Sequence, residues 1–405
     1  MREISYEPRN VRDVLVELKD SSELAVDLAY SAVRDGDASL ADEVLELESR
    51  ANYLQYHVRI ALMLAAKRAE EAEQLVGLFQ VAASAVRITE AAADIARIVR
   101  DDGGVPDAFE HAFPDADERL VRATVAADSD LAGARLRDLE LDLETGVRLI
   151  AIRREGEWSF APVGDDRLAD GDVIVGRGPR EGIEVVYRRA TGEPLPAPAA
   201  PSAGTESEEI ARAAETVIDL KDMAELAVGL AYGAARLDSD DLAREVLALE
   251  DESDEHKTRL ETWVIEADDE VGSAAQRRGL LHLAAASEVI CDAAVDIAEV
   301  VLREVELPPV FGAALEDSEE AIGAVVVGAG SDFDGATVAD LELEAGAGVV
   351  VLAIHGGDGW TFDPEPDRAC AAGETLLVRG PPAGVDHLRE GAGDSEEGRS
   401  RPSRK

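Results

Sequence analysis

The chain has 405 residues, 46% of them apolar, and sets 40 Lys and Arg against 86 Asp and Glu for a net charge of −46. That apolar content excludes a disordered acidic chain, and the length allows two to four domains with sizeable cores. The charge opposes binding to nucleic acid and direct membrane insertion, because acidic surfaces repel phosphates and anionic lipid alike. Only five of the cations are Lys, so 35 are Arg. A folded chain this acidic and poor in Lys predicts a cytosol of very high salt, where at ~1 M the Debye length falls to ~3 Å and self-repulsion is screened. Its circular dichroism should weaken on dilution from molar to millimolar KCl, and an unchanged spectrum would contradict that. The N-terminus lacks the apolar core of a signal peptide. The longest stretches free of Asp, Glu, Lys and Arg, Gln74 to Val86 and Ala345 to Gly357, have 13 residues each, short of a membrane span. A cytoplasmic location is the expectation, with Cys291 and Cys370 as buried thiols.

In chain order, Val11, Val14, Leu15, Leu18, Ala25, Val26, Ala29 and Val33 recur at helical spacing over residues 10–34, and Asp35-Gly36-Asp37 breaks the pattern. Ser39 with Asp42 resembles a capping box that opens a second helix, to about Lys67. A third runs from about Glu71 to Val99 and stops at Asp101-Asp102-Gly103-Gly104. Three long helices with short connections predict an antiparallel bundle. After Pro114 the period changes. Leu120 to Ala127, Gly146 to Ile152, Glu157 to Pro162 and Asp172 to Val175 read as strands, Gly133 to Leu139 as a turn and short helix. Gly176-Arg-Gly-Pro179 reads as the turn into a last helix, ending near Arg189. Residues 191–209 are a Pro-rich linker.

The chain then starts again. Leu18-Lys-Asp20 returns as Leu220-Lys-Asp222, Leu28-Ala-Tyr30 as Leu230-Ala-Tyr232, and Gly171 to Pro179 as Gly373 to Pro381. The offset is 202 residues throughout, which marks a whole-unit duplication. The fold class predicted is two antiparallel three-helix bundles (8–102 and 210–304) alternating with two small α+β modules (115–190 and 317–390), followed by a disordered tail (391–405). The two halves can pack as a pseudo-dimer.

The α+β module resembles the C-terminal RCK domain, TrkA-C, over about 118–190 and 320–390. The resemblance rests on Gly133-x-x-Leu136-x-x-Leu139, Ala151-Ile152-Arg153-Arg154 and Gly171-Asp172-x-Ile174-x-x-x-Gly178 with their copies. The second copy departs from it at His355 and Glu374, where the first has Arg153 and Asp172. The helical parts are similar to PhoU-like bundles through Leu18-Lys-Asp20, the Leu40-Ala-x-Glu-Val turn and Glu90-x-x-x-Asp94-Ile. The resemblance implies a haloarchaeal transport regulator without the nucleotide-binding N-terminal RCK domain. A membrane cation channel or transporter, most simply for potassium, would be its partner, and the sequence leaves a homodimer open. Some TrkA-C relatives bind a cyclic dinucleotide, so a nucleotide-type anionic effector is implied as well. Residues 118–190 carry 12 Arg and 15 acids against 3 Arg and 13 acids in 320–392, so the first module best tolerates an anion. Arg153, Arg154, Arg177 and Arg180 are the candidate ligands, with Arg177 recurring as Arg379; the alternative is pairing with nearby carboxylates.

PhoU-like proteins can also bind metal clusters through acidic residues four apart on a helix, which share one face. Glu23/Asp27, Glu90/Asp94 and Asp292/Asp296 have this spacing. Arg87 and Arg97 lie three residues from Glu90 and Asp94, so salt bridging is the simpler account there. In the second half these cations become Val289 and Glu299, leaving Glu288, Asp292, Asp296 and Glu299 as an acidic stripe that suits a divalent metal such as Mg²⁺, Ca²⁺ or Mn²⁺. The plain alternative is a solvated acidic face. The glycine run Val327-Gly328-Ala-Gly330 lacks the third glycine of a dinucleotide loop, and Gly176-Arg-Gly-Pro179 lacks the Lys-Ser/Thr of a P-loop. The six His are scattered, and no nucleophile or acid–base constellation is present, so an enzyme is not expected.

Overall fold

The structure, a computed structural model, describes residues 9–65, 69–100, 119–160, 162–196, 208–266, 274–345, 349–357 and 359–393. The expected stop at Asp101 to Gly104, the linker from 197 to 207 and the tail from 394 lie outside these residues. The first half opens with helices α1 (Val11–Asp35), α2 (Ala38–Ala65) and α3 (Ala69–Arg100). Asn10 caps α1 by accepting from Arg12 N at 3.0 Å, and Gly36 ends it at φ 62°, a left-handed conformation open to glycine at no steric cost. The cap of α2 is Asp37 rather than Ser39. Its Oδ1 accepts from the backbone N and the hydroxyl of Ser39, both at 2.7 Å. Asp-x-Ser and Ser-x-x-Asp overlap here, and the carboxylate two residues earlier reaches the free amides first.

Strand β1 (Arg119–Thr124), short helices α4 (Leu136–Leu139) and α5 (Leu141–Thr145), strands β2 (Arg148–Arg154), β3 (Glu157–Phe160) and β4 (Val173–Gly178) and helix α6 (Arg180–Thr191) complete the first half. The sheet is antiparallel in the order β1-β4-β2-β3. Gly176-Arg177-Gly178 belongs to β4 and is not the turn expected from sequence. These glycines serve close approach instead: a Cβ on Gly176 would lie 2.9 Å from Val147 Cγ1, and one on Gly178 2.6 Å from the Gly146 carbonyl. Arg177 is thereby held in a strand with a fixed direction.

The second half repeats the plan with α7 (Glu208–Leu237), α8 (Asp240–Glu266), α9 (Ala274–Leu302), α10 (Pro309–Asp317), β5 (Ala321–Val326), α11 (Val338–Ala345), β6 (Val350–Gly356), β7 (Gly359–Phe362), β8 (Thr375–Gly380) and α12 (Pro382–Gly391). The register recurs residue for residue: Leu120 faces Arg177 as Ile322 faces Arg379, and the shift at Leu149/Ala151 returns at Val351/Ala353.

Each sheet buries both faces, which is why its strands read as nearly continuous apolar runs. One face, with Ile152 and Ile174 in the first half and Ile354 and Leu376 in the second, packs under the module's own helices. The other, with Ile150, Val175, Leu352 and Leu377, joins one continuous core with both helical bundles. The halves meet through α3 and α9, which run antiparallel, and through α1 and α7. Gln80 Nε2 donates to the Asp296 carbonyl at 2.8 Å, and the Tyr30 hydroxyl and Ser287 Oγ are 2.6 Å apart. Lys19 Nζ lies 5.4 Å from the Tyr232 ring centre, and its counterpart Lys221 lies 6.0 Å from that of Tyr30, so the contact is approximately twofold. Within α3, Leu75–Arg100 is long and apolar enough to cross a membrane by length and composition alone; here most of it is buried against neighbouring helices.

Candidate functional site

The chemistry concentrates where both sheets rest on α1 and α7. Arg177 from β4 pairs with Asp27 of α1 and, at 3.1 Å, with Glu320 just before β5. Arg379, its copy on β8, reaches the same Glu320 at 3.2 Å. Lys19 donates to Glu23 at 2.5 Å, to Ser318 Oγ at 2.8 Å and to the Glu320 carbonyl at 2.7 Å. Asp20 accepts from the Ser318 hydroxyl and from the Glu319 N–H. On α7, Lys221 pairs with Glu225 at 2.9 Å. A cavity of about 10 Å³, enough for about one water, lies among Asp20, Glu23, Asp27, Arg177, Glu319 and Glu320.

The five Arg singled out from sequence do not share one site. Arg177 and Arg379 meet at this cluster. Arg153 makes a two-pronged pair with Glu43 of α2, at 2.8 and 2.7 Å, and its guanidinium carbon lies 5.8 Å from the centre of the Trp158 ring. Glu43 is buried and also accepts from Arg122 at 3.1 Å, so it fastens the first sheet to the first bundle. Arg154 closes a second fork on Asp172, at 2.8 and 2.6 Å. Arg180 stands apart at the start of α6, more than half exposed and 3.6 Å from Glu184.

The acidic stripe of the second half does not lack cations. Arg87, expected to serve Glu90, crosses from α3 to pair with Asp292 and Asp296. Glu288 pairs with Lys257, and Glu299 with Arg303 at 2.5 Å. Packing α3 against α9 brings Arg87 to a face whose own helix has Val289 at the equivalent position. Asp94 pairs with Arg97 at 2.6 Å within its helix, while Glu90 lies on the same helix and is not drawn into either set. Among the described residues no group of three or more His, Cys, Asp or Glu is placed to hold a metal ion.

A groove of about 880 Å³ lies between the start of α2, the outer edge of β1 and the side of α6. Arg119, Arg122 and Arg180 line it together with Asp35, Asp37, Asp170, Glu184 and Glu193, and Tyr187 and Ile183 supply an apolar wall.

Comparison with known families decides the domain types. The PhoU domain matches residues 15–99 and 217–301, and the TrkA-C domain matches 120–191 and 322–392. The chain is a tandem of PhoU and TrkA-C domains in strict alternation. Both are regulatory domain types, related to ion transport. No curated protein matches the sequence significantly. Among solved structures, PhoU from Pseudomonas aeruginosa aligns at 14% identity over 73% of this chain and 95% of its own, with a TM-score of 0.38. The GsuK RCK domain aligns at 14% identity over 70% of this chain and 65% of its own, and the GsuK channel bound to NAD at 12% over 79% and 66%, both with TM-scores of 0.20. At these scores none of the three carries weight for the reading that follows.

Burial and charge set the protonation of the cluster between the TrkA-C sheets and the PhoU helices. For Glu320, burial alone would raise the pKa, but Arg379, Arg177 and Lys19 outweigh it and hold it down at about 2. Burial pushes Asp20 up to about 6 against the pull of Lys19, and Asp27 up to about 6 against that of Arg177. Glu23 is pushed furthest, to about 8, by burial first, with Lys19 opposing and Glu320 adding to it. Sequence reasoning named Glu23/Asp27 as a spaced pair but missed Lys19, Glu225 and Glu320 as their partners. The one available signal was that Lys19, Glu23 and Arg177 all recur 202 residues later, at an offset where many solvent-exposed charges do not.

Proposed function

We propose that the chain is a cytoplasmic regulatory subunit of a membrane cation transporter, with potassium as the cation, and that its TrkA-C modules sense a small anionic effector of nucleotide type. The observation that supports this most is the meeting of Arg177 and Arg379 on Glu320 above Asp27. Equivalent strands of the two TrkA-C sheets are joined there to α1 of the first PhoU bundle. A shift of one module against the other must therefore change the charge balance on that helix. An effector acts on such an equilibrium only through different affinities for the two arrangements.

The groove beside α6 is where we place the effector. It has the volume of a small-molecule site. Of the five candidate guanidinium groups, that of Arg180 has the longest and most exposed ion pair, so it is the one most readily given over to a phosphate. The strongly acidic composition supports a high-salt cytosol as the setting. The test is thermal stabilisation of the full chain by ATP, a cyclic dinucleotide and inorganic phosphate in molar KCl. Stabilisation by one of them that disappears in Arg180→Ala is expected; no response to any, or an undiminished response in the variant, would overturn the placement. Co-purification of a tagged chain with membranes in the same salt should bring down a cation transporter, and recovery of none would count against the partner.

A further inference from the structure

Among the described residues the central cluster does not balance. Asp20, Glu23, Asp27, Glu225, Glu319 and Glu320 face Lys19, Lys221, Arg148, Arg177 and Arg379, six carboxylates against five cations. The surplus comes from Asp27, whose copy in the second half is Gly229. Asp222 also contacts Lys221, but from the solvent side. Arg148 is taken by Glu319 at 2.6 Å, Arg177 by Asp27 and Glu320, Arg379 by Glu320, and Lys221 by Glu225. Lys19 donates to Glu23 and is shared with Ser318 and the Glu320 carbonyl, while Arg379 acts on Glu23 without a hydrogen bond to it. Glu23 Oε1 is buried without a hydrogen-bond partner, and the residue lines the small cavity between α1 and the two sheets.

We propose that this cluster is a proton-operated latch: with a proton on Glu23 both TrkA-C sheets stay seated on α1 and α7, and loss of that proton unseats them. A proton brings the group to charge balance and gives the orphaned oxygen a hydroxyl to offer the cavity. Without it, a second full negative charge lies beside Glu320 in a volume too small to hydrate it. Unseating admits water, and Lys19 is the hinge of the event because it ties Glu23 to the segment that leads into β5.

Among the described residues, Glu23 is faced by Lys19, Asp20 and Asp27 on its own helix, Lys221, Glu225 and Tyr232 from α7, Arg177 from β4, Arg379 from β8, and Glu319 and Glu320 before β5. Asp20 and Asp27, at about 6, and Glu320, at about 2, have already lost their protons near neutrality, so Glu23, at about 8, is the carboxyl that titrates there. The sign follows from linkage. A carboxyl whose pKa is raised in the seated state binds more proton there, so that state is favoured at low pH. It loses ground as pH climbs from the ordinary glutamate range to about 8, at up to about tenfold in the equilibrium per pH unit, and levels off above.

Trp158 and Trp360 sit in or against the sheet–bundle core, so their fluorescence reports seating in the full chain. In molar KCl a one-proton transition is expected between about pH 6.5 and about pH 9. Glu23→Gln should remove it and keep the seated spectrum throughout, while Glu225→Gln should retain it. No transition in the wild type, or the same transition in Glu23→Gln, overturns the proposal. Should Glu23→Gln not fold, the infrared carbonyl stretch of a protonated carboxyl in the wild type must be present at the acid end of that range and gone at the alkaline end; its absence throughout overturns the proposal equally. The latch and the Arg180 groove are separate, so either can fail alone.

Discussion

The two copies of the block seat their sheets by different means. In the first, the seat is ionic: Asp27 with Arg177, Glu43 with Arg122 and Arg153, and Arg50 bridging Glu17 and Glu157. In the second, Arg122, Arg153, Arg50 and Asp27 have become Ala324, His355, Glu252 and Gly229. The seat there is apolar and closer. A Cβ on Gly229 would lie 2.8 Å from Leu352 Cδ1, and one on Gly233 2.6 Å from Leu377 Cδ2. Elsewhere the copies conserve a function while moving its parts: the fork that Arg154 makes to Asp172 is made to Glu374 by Arg368, at 2.6 and 2.7 Å, from a loop rather than a strand. After duplication, the seat of the first sheet kept more ion pairs and that of the second packs more closely through apolar side chains.

Substitutions at the two seats should differ in their effects. Glu320→Ala removes the carboxylate shared by both sheets and strands Arg379 in the interior. We expect a loss of about 3–5 kcal/mol in chemical denaturation, and a loss under about 1 kcal/mol would show that the sheets are not joined there. Glu43→Ala should cost about 2–3 kcal/mol, because Arg122 and Arg153 both lose their partner. The copy, Glu245→Ala, should be neutral or slightly stabilising, since burial raises the pKa of that carboxyl and Ala324 and His355 replace its cations. Equal effects at 43 and 245 would erase the distinction between the seats. Gly233→Val should overpack the apolar seat by about 1–3 kcal/mol, with the melting temperature as readout. Arg154→Ala, which takes its cation from the buried Asp172, should cost about 1–2 kcal/mol, and Arg368→Ala about the same.

The repeat of 202 residues, the three long helices per block and the small strands between glycines and aspartates were legible in the sequence, because helical and strand periods and breaker residues are local properties. So was the family resemblance, which rests on short motifs in fixed order. The caps and turns were less so. Gly176 and Gly178 looked like a turn, and only the nearness of Val147 and Gly146 explains why glycine is needed in a strand.

Arg97 and Asp94 pair along their helix as their spacing suggests, but pairing between elements came from the tertiary structure. Arg87 looked like a partner for Glu90 and proved to neutralise Asp292 and Asp296, more than 200 residues away in the other bundle. Lys19 meets Ser318 and Glu320, and Arg177 meets Glu320, only because the twofold packing of the halves brings them together. Periodicity says which side of a helix is buried, but an ion pair depends on a few ångströms between segments with no fixed spacing in the chain. Local patterns therefore set the blocks and their order. Their packing decided which carboxylate would be left over, and so where a proton has to go.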